Sequence, residues 1–103
     1  MPKIEVYSSR YCPYCARAKN LLKKKGAEFI EIDVDQKPKE RIVMERRAEG
    51  STSVPQIFFD GKLIGGSDEL VALEMSGKLD ELLMSRGNWP FKTIILDAGR
   101  KRI

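Results

Sequence analysis

The sequence predicts a single α/β unit, in which a four-stranded mixed sheet is flanked by helices. Short alternating segments rich in β-branched and aromatic residues interleave with helical patterns. An Asp-Gly pair separates two of these segments in the manner of a hairpin. The chain has 103 residues, of which 42% are hydrophobic, enough for one small domain. The predicted order is βαβα followed by ββα, ending near residue 85.

The first half of the chain alternates strand and helix. KIEVY (Lys3–Tyr7) alternates polar and apolar residues and predicts the first strand. Pro13 is typical of a first helical turn, so Cys12 takes the N-cap position, and Gly26 predicts the end of this helix. EFIEID (residues 28–33) predicts the second strand. A helix between two strands implies a right-handed crossover, with the strands parallel.

The second half predicts a helix, a hairpin and two further helices. Pro38 begins a helix that runs to about Ala48, with only a weak apolar stripe. QIFFD and KLIGG flank Asp60-Gly61, a strong two-residue hairpin signal. Ser67 is the expected N-cap of the next helix, which Gly77 ends. A shorter helix is expected over residues 79–85.

The net charge of +4 does not by itself indicate a nucleic-acid surface. Many of the cations lie late in predicted helices, at Lys23–Lys25 and at Arg46 and Arg47, where they suit the helix dipole. We therefore expect solvated helix faces, with a slight attraction for anionic thiols. The opening MPKIEVYSS has no long apolar run typical of a signal peptide, and no stretch approaches the roughly 18 apolar residues of a membrane span. We expect a soluble cytoplasmic protein without membrane or nucleic-acid partners.

The only cysteines are Cys12 and Cys15, and the chain contains no His. In a reducing compartment a lone Cys-x-x-Cys is more often catalytic or metal-binding than a structural disulfide. A structural zinc site needs four Cys or His ligands, so we expect no metal held within one chain. Without His, a reactive thiolate must be produced by local electrostatics.

The two cysteines are expected to differ in reactivity. Cys12 lies where the unpaired N–H groups of a helix N-terminus favour a sulfur anion, and Arg10 adds positive charge nearby. Cys15 is one turn further in and is expected to be more buried and to remain a thiol. Attack on a disulfide forms a mixed disulfide, which a second thiol can resolve. The pattern favours this exchange chemistry over two inert thiols or a metal or cluster ligand.

Three motifs in order resemble the glutaredoxin family. They are CPYC after the first strand, Val-Pro in STSVPQIF, and GGSDEL at the start of a late helix. The likeness is closest to the small bacterial dithiol type and covers residues 1 to about 84. It implies a thioredoxin-like fold and an enzyme that reduces protein disulfides and glutathione mixed disulfides. Glutathione would be the co-substrate, with no bound cofactor.

The resemblance also assigns roles to individual residues. It makes Cys12 the nucleophile and Cys15 the resolving thiol, and it puts Tyr14 beside bound glutathione. The backbone of Val54 would pair with the cysteinyl unit like one added strand residue, and Pro55 would be cis. Further predicted glutathione contacts are Gly66, Ser67 and Asp68 at the γ-glutamyl end, and Arg41 at the glycyl carboxylate. Arg10 is expected to replace a family lysine found where Ser9 stands here.

Two alternatives and one addition remain open. A dimer could bridge a [2Fe–2S] cluster through Cys12 and two glutathiones, although the rigid Pro13 counts against it. A hydrogen donor coupled to thioredoxin reductase would lack a good glutathione site. The GGSD match favours the presence of such a site and so counts against this alternative. We divide the chain into a domain over 1–85 and an extension over 86–103 of unknown role. Within the extension, FKTIIL is expected to pack as a strand on the same molecule, which we expect to be a monomer.

Overall fold

The computed structural model describes residues 1–84. They form four strands and four helices, and the predicted FKTIIL strand and the extension lie outside the described residues. In chain order the elements are β1 (Ile4–Ser8), α1 (Pro13–Lys24), β2 (Ile30–Asp33), α2 (Pro38–Arg47), β3 (Gln56–Phe59), β4 (Lys62–Gly65), α3 (Ser67–Met75) and α4 (Lys78–Met84).

The strands form one mixed sheet in the order β2-β1-β3-β4. β1 and β2 are parallel, as the crossover through α1 predicts, and Val6 of β1 is paired with Glu31 of β2. β3 lies antiparallel to β1 on the other side, and β4 continues from it as a hairpin. The predicted thioredoxin-like, four-stranded mixed sheet is therefore confirmed.

The hairpin turn follows from its two central residues. Asp60 has φ of 52° and Gly61 has φ of 81°, so both adopt the left-handed conformation that a two-residue turn between twisted strands requires. The Asp60 carboxylate also accepts a hydrogen bond of 2.8 Å from the backbone N–H of Lys3. This contact joins the turn to the start of β1.

Alternation along β1 and β3 creates a core on each face of the sheet. Ile4 and Val6 point to one face together with Ile57 and Phe59, where they pack with residues of α1, α3 and α4. The opposite face is smaller and contacts α2. Its buried members are Tyr7, Val34, Met44, Ala48 and Phe58.

Two local expectations were wrong. Gly66, not Ser67, is the N-cap of α3. The Ser67 hydroxyl is buried and accepts a hydrogen bond from Arg17 instead, while the Glu69 carboxylate accepts one of 2.6 Å from the Gly66 N–H. Arg47 is not on a solvated helix face, because its guanidinium pairs with Glu5 at 2.8 Å. The Arg17–Ser67 and Arg47–Glu5 contacts join residues 50 and 42 positions apart in the sequence.

Candidate active site

Cys12 lies at the N-cap of α1, as predicted. Its backbone is extended, Pro13 follows as the first helical residue, and its sulfur accepts a hydrogen bond of 3.2 Å from the Cys15 N–H. The side chain is partly exposed and the thiol is free. The positive end of the helix dipole and this N–H both point at the sulfur.

Cys15 has the opposite environment. It is the third residue of α1, within the first turn, and is only 1% exposed. Burial, with smaller contributions from the hydrogen bond to Cys12 and from its charge, raises the pKa of Cys15 to about 12. Cys15 is therefore a thiol at neutral pH, which agrees with the predicted asymmetry of the pair.

The Val54–Pro55 peptide bond is cis, as the family resemblance implied. The Val54 carbonyl lies 3.9 Å from the Cys12 sulfur, which donates its S–H to that oxygen. The preceding loop is held by Gln56, which is almost completely buried. Its side-chain amide donates to the Ser53 carbonyl at 3.0 Å and to the Ser51 hydroxyl at 3.0 Å. The sequence analysis did not single out Gln56.

Two glycines allow α3 to begin close to this loop. A Cβ at Gly66 would lie 3.3 Å from the Pro55 carbonyl oxygen, a tight contact with backbone. Gly65 has φ of 122°, and a Cβ there would lie 2.8 Å from Cγ of Glu69. The Gly-Gly pair therefore brings the N-terminus of α3 against the cis-proline loop.

A groove of about 280 Å³ lies between the loop and α3. It is close to Cys12, because Val54 belongs both to its wall and to the surroundings of the sulfur. A larger cavity of about 510 Å³ involves residues 1–4 and 26–30, but no cysteine lines it, so we assign the chemistry to the smaller groove. The groove brings together six predicted contacts: Tyr14, Val54, Pro55, Gly66, Ser67 and Asp68.

The two predicted arginines do not line this groove. The exposed Arg10 has its backbone N–H bonded to Asp35 at 3.1 Å. Arg41 donates to the Thr52 carbonyl at 3.2 Å and lies 3.8 Å from the Asp35 carboxylate. Asp35 thus connects the loop before Cys12 with α2, and its neighbouring donors, Ser9 first and then the Arg10 N–H, lower its pKa.

Arg17 was missed by the sequence analysis. Its Nε donates to the Ser67 hydroxyl at 2.9 Å and its terminal nitrogen pairs with Asp68 at 2.9 Å. Its guanidinium carbon lies 5.4 Å from the centre of the Tyr14 ring. The i, i+3 spacing of Tyr14 and Arg17 indicates a shared helix face, but nothing local indicates that α3 lies opposite.

The described part of the chain has no helix suited to crossing a membrane and no side-chain cluster suited to a metal ion. None of its helices is long and apolar enough to cross a membrane. Residues 1–84 also contain no cluster of three or more Cys, Asp or Glu side chains that could hold a metal ion.

Comparison with known proteins identifies the family. The glutaredoxin family model matches residues 4–64. A glutaredoxin of Pseudomonas aeruginosa is 52% identical over 83 residues, spanning 81% of this chain and 98% of the relative. Glutaredoxin 3 of Escherichia coli is 48% identical, spanning 81% of this chain and 99% of that protein.

Solved structures agree. The solution structure of a Brucella melitensis glutaredoxin matches with a TM-score of 0.71 and 51% identity, covering 81% of this chain and 89% of the other. The crystal structure of a buckwheat glutaredoxin–glutathione complex matches with a TM-score of 0.73 and 33% identity, covering 80% and 76%. With its Cys12–Cys15 pair beside a cis-proline groove, the chain belongs to the glutaredoxin family of thiol–disulfide oxidoreductases.

Proposed function

We propose that this protein uses glutathione to reduce protein disulfides and glutathione mixed disulfides through Cys12 and Cys15. The observation that carries the proposal is the position of the Cys12 sulfur. It accepts an N–H at the start of α1 and lies 3.9 Å from the carbonyl of Val54, which forms one wall of the groove. A ligand sulfur beside Val54 would therefore be within reach of the nucleophile.

The monothiol route needs Cys12 alone. Its thiolate attacks the glutathionyl sulfur of a mixed disulfide, so that the old S–S bond breaks and the target leaves as a thiolate that takes a proton from water. Cys12 is then disulfide-bonded to glutathione. A second glutathione thiolate attacks the glutathionyl sulfur, which releases glutathione disulfide and restores the Cys12 thiolate.

The dithiol route adds Cys15 when the substrate is a protein disulfide. Cys12 forms a mixed disulfide with the substrate and releases its first thiol; the Cys15 sulfur then attacks Cys12, so that the substrate leaves as its second thiol and a Cys12–Cys15 disulfide forms. Two glutathione molecules reduce that disulfide in turn and leave as glutathione disulfide. Burial holds the pKa of Cys15 high, and while Cys12 is not disulfide-bonded, its hydrogen bond to Cys15 and its charge raise that pKa further. A disulfide-bonded Cys12 carries no charge, so the mixed disulfide removes the charge contribution and eases ionisation of Cys15.

The groove offers complementary contacts for the glutathione tripeptide. The backbone of Val54 would pair with the cysteinyl unit, while Tyr14 and Pro55 pack beside it. The Gly66 N–H is already bonded to Glu69, so the γ-glutamyl carboxylate would rely on the N–H groups of Ser67 and Asp68.

Charged side chains would complete the contacts. The Asp68 carboxylate would accept from the ligand ammonium. Arg41 would meet the glycyl carboxylate, and Arg10 would supply the charge of the family lysine. Neither lines the groove, and both roles stay predictions. The buckwheat relative in complex with glutathione supports the choice of ligand.

We further expect the protein to act in the cytoplasm as a monomer, on disulfide-containing or glutathionylated proteins and without a bound cofactor. A reduced thiol pair suits that compartment.

The test separates the two thiols and the electron donors. Cys12→Ser should abolish both deglutathionylation of a peptide and reduction of a protein disulfide. Cys15→Ser should keep the first activity and lose most of the second. NADPH oxidation should couple through glutathione reductase with glutathione, and not through thioredoxin reductase. Deglutathionylation that survives Cys12→Ser, or coupling to thioredoxin reductase alone, would contradict the proposal.

A further inference from the structure

Within residues 1–84, Arg17 makes the only side-chain hydrogen bonds between α1 and the start of α3. Its Nε donates to Ser67 and its terminal nitrogen pairs with Asp68, each at 2.9 Å. Its guanidinium also lies over Tyr14 at 5.4 Å. All three partners line the groove, although Arg17 itself does not.

The contacts orient their partners more than they stabilise the fold. The Asp68 side chain is 84% exposed and that of Arg17 is 49% exposed, so their ion pair adds little to folding. Without it, however, the Asp68 carboxylate would be free to rotate in water. The rigid fork of a guanidinium holds two acceptors at once, which an ammonium cannot do with the same geometry.

With Arg17 bound to Ser67 and Asp68, an acceptor on Asp68 and the N-terminus of α3 remain available to a ligand in the groove. Arg17 pairs with Oδ1 of Asp68, and within residues 1–84 the second carboxylate oxygen has no hydrogen-bond partner. That oxygen suits a ligand ammonium. The N-terminus of α3 and the positive charge of Arg17 suit a carboxylate. A ligand with both an ammonium and a carboxylate therefore makes both interactions. A ligand with an ammonium alone would be bound only weakly, because Arg17 partly neutralises the charge of Asp68.

We propose that Arg17 is a positioning residue that holds Ser67 and Asp68 in place and so gives the groove its selectivity for thiols that end in a free α-amino acid. The inference rests on the proposed use of glutathione, whose γ-glutamyl end is such a group. It predicts that Arg17 acts at that end of the ligand and at no other.

The experiment compares two mixed disulfides of one peptide, the first with glutathione and the second with cysteinylglycine, which lacks the γ-glutamyl end. Reduced protein is mixed with each, and release of the peptide thiol gives the second-order rate constant for attack by Cys12. Arg17→Gln should slow the reaction with the glutathionyl peptide about fivefold. This factor corresponds to the upper end of the free energy that an exposed ion pair contributes. The cysteinylglycine rate should not change.

Matched variants complete the test. Arg46→Gln removes the same charge from an exposed site on α2 and should leave both rates unchanged. Arg17→Lys keeps the charge without the fork and should give an intermediate rate. Asp68→Asn should slow the reaction with the glutathionyl peptide less in the Arg17→Gln protein than in the wild type, because Asp68 contributes fully only while Arg17 holds it.

The failures are distinguishable. A wild-type protein that reacts equally with both mixed disulfides would contradict the proposed use of glutathione. A wild-type preference that survives Arg17→Gln, or a variant that slows both reactions equally, would overturn the role of Arg17 alone.

Discussion

Cys12 and Cys15 are three residues apart and have opposite properties because a helix begins between them. Cys12 is the N-cap, partly exposed and facing the N–H of Cys15 at 3.2 Å. Cys15 is 1% exposed, and burial raises its pKa to about 12. One thiol can therefore attack while the other stays protonated. Local sequence accounts for the N-cap position of Cys12, since Pro13 sets where the helix starts, whereas the burial of Cys15 depends on tertiary packing.

The reactivity of Cys15 should reflect its burial. In a Cys12→Ser variant the contributions of Cys12 to the raised pKa are gone, but desolvation, the largest cause, persists. Since the thiolate fraction falls tenfold for each unit of raised pKa, alkylation of Cys15 at neutral pH should be about 100-fold slower than that of free cysteine. Mass spectrometry of iodoacetamide labelling over a pH series measures this. Labelling at the rate of free cysteine would contradict it.

At the scale of elements, α2 is joined to the sheet by Met44 and by the polar contacts of Arg47. Met44 is the one residue buried within this helix. The Arg47 guanidinium pairs with both oxygens of Glu5 at 2.8 and 3.0 Å and donates to the Tyr7 hydroxyl at 2.8 Å. It also lies 4.1 Å from the centre of the Phe58 ring. The pair therefore fixes α2 against β1 and β3.

Removing this pair should lower stability in a pH-dependent way. Hydrogen bonding to Arg47, the largest cause, holds the pKa of Glu5 below its usual value. A lowered pKa in the folded state stabilises the protein above the unfolded value of about 4.3, and that contribution is lost as pH falls through the lower, folded pKa. Glu5→Gln should therefore cost about 1.5–2 kcal/mol at neutral pH, at the lower end of the range for a hydrogen bond to a charged group.

Urea unfolding at several pH values checks this expectation. The difference between wild type and Glu5→Gln should shrink as the solution is made more acidic than the usual pKa of glutamate. Glu28→Gln, at an exposed position, is the control and should change stability little at any pH. A Glu5→Gln penalty that stays constant down to acid pH would show that charge pairing with Arg47 is not its cause.

At the scale of the whole molecule, the described residues form two cores, one on each face of the sheet. The larger core contains Leu79 and Leu83 of α4, which are 0% and 4% exposed. The matched relatives of Pseudomonas and Escherichia are covered almost entirely by an alignment of 83 residues of this chain. The division of the chain at residue 85 stays a prediction, and these two observations support it.

Truncation tests that division. A chain ending at Ser85 should unfold cooperatively, with a Tm within a few degrees of the full chain and unchanged deglutathionylation. A chain ending at Ser76 also loses Leu79 and Leu83, and burial of that kind is worth about 2–5 kcal/mol per leucine, comparable to the stability of a small domain. It should be largely unfolded by circular dichroism. Unfolding of the chain that ends at Ser85 would contradict the division.

The sequence by itself determined the order of elements, the N-cap position of Cys12 and the Asp60-Gly61 turn. Each depends on neighbours within a few residues, so local propensity and spacing suffice. The cis Val54–Pro55 bond and the groove contacts came from family resemblance and not from local pattern. Only the tertiary structure decided that Arg17 bridges to Ser67 and Asp68, that Gly66 caps α3, and that Arg47 pairs with Glu5. The two arginine contacts join residues 42 to 51 positions apart, so their partners are known only once the helices pack on the sheet.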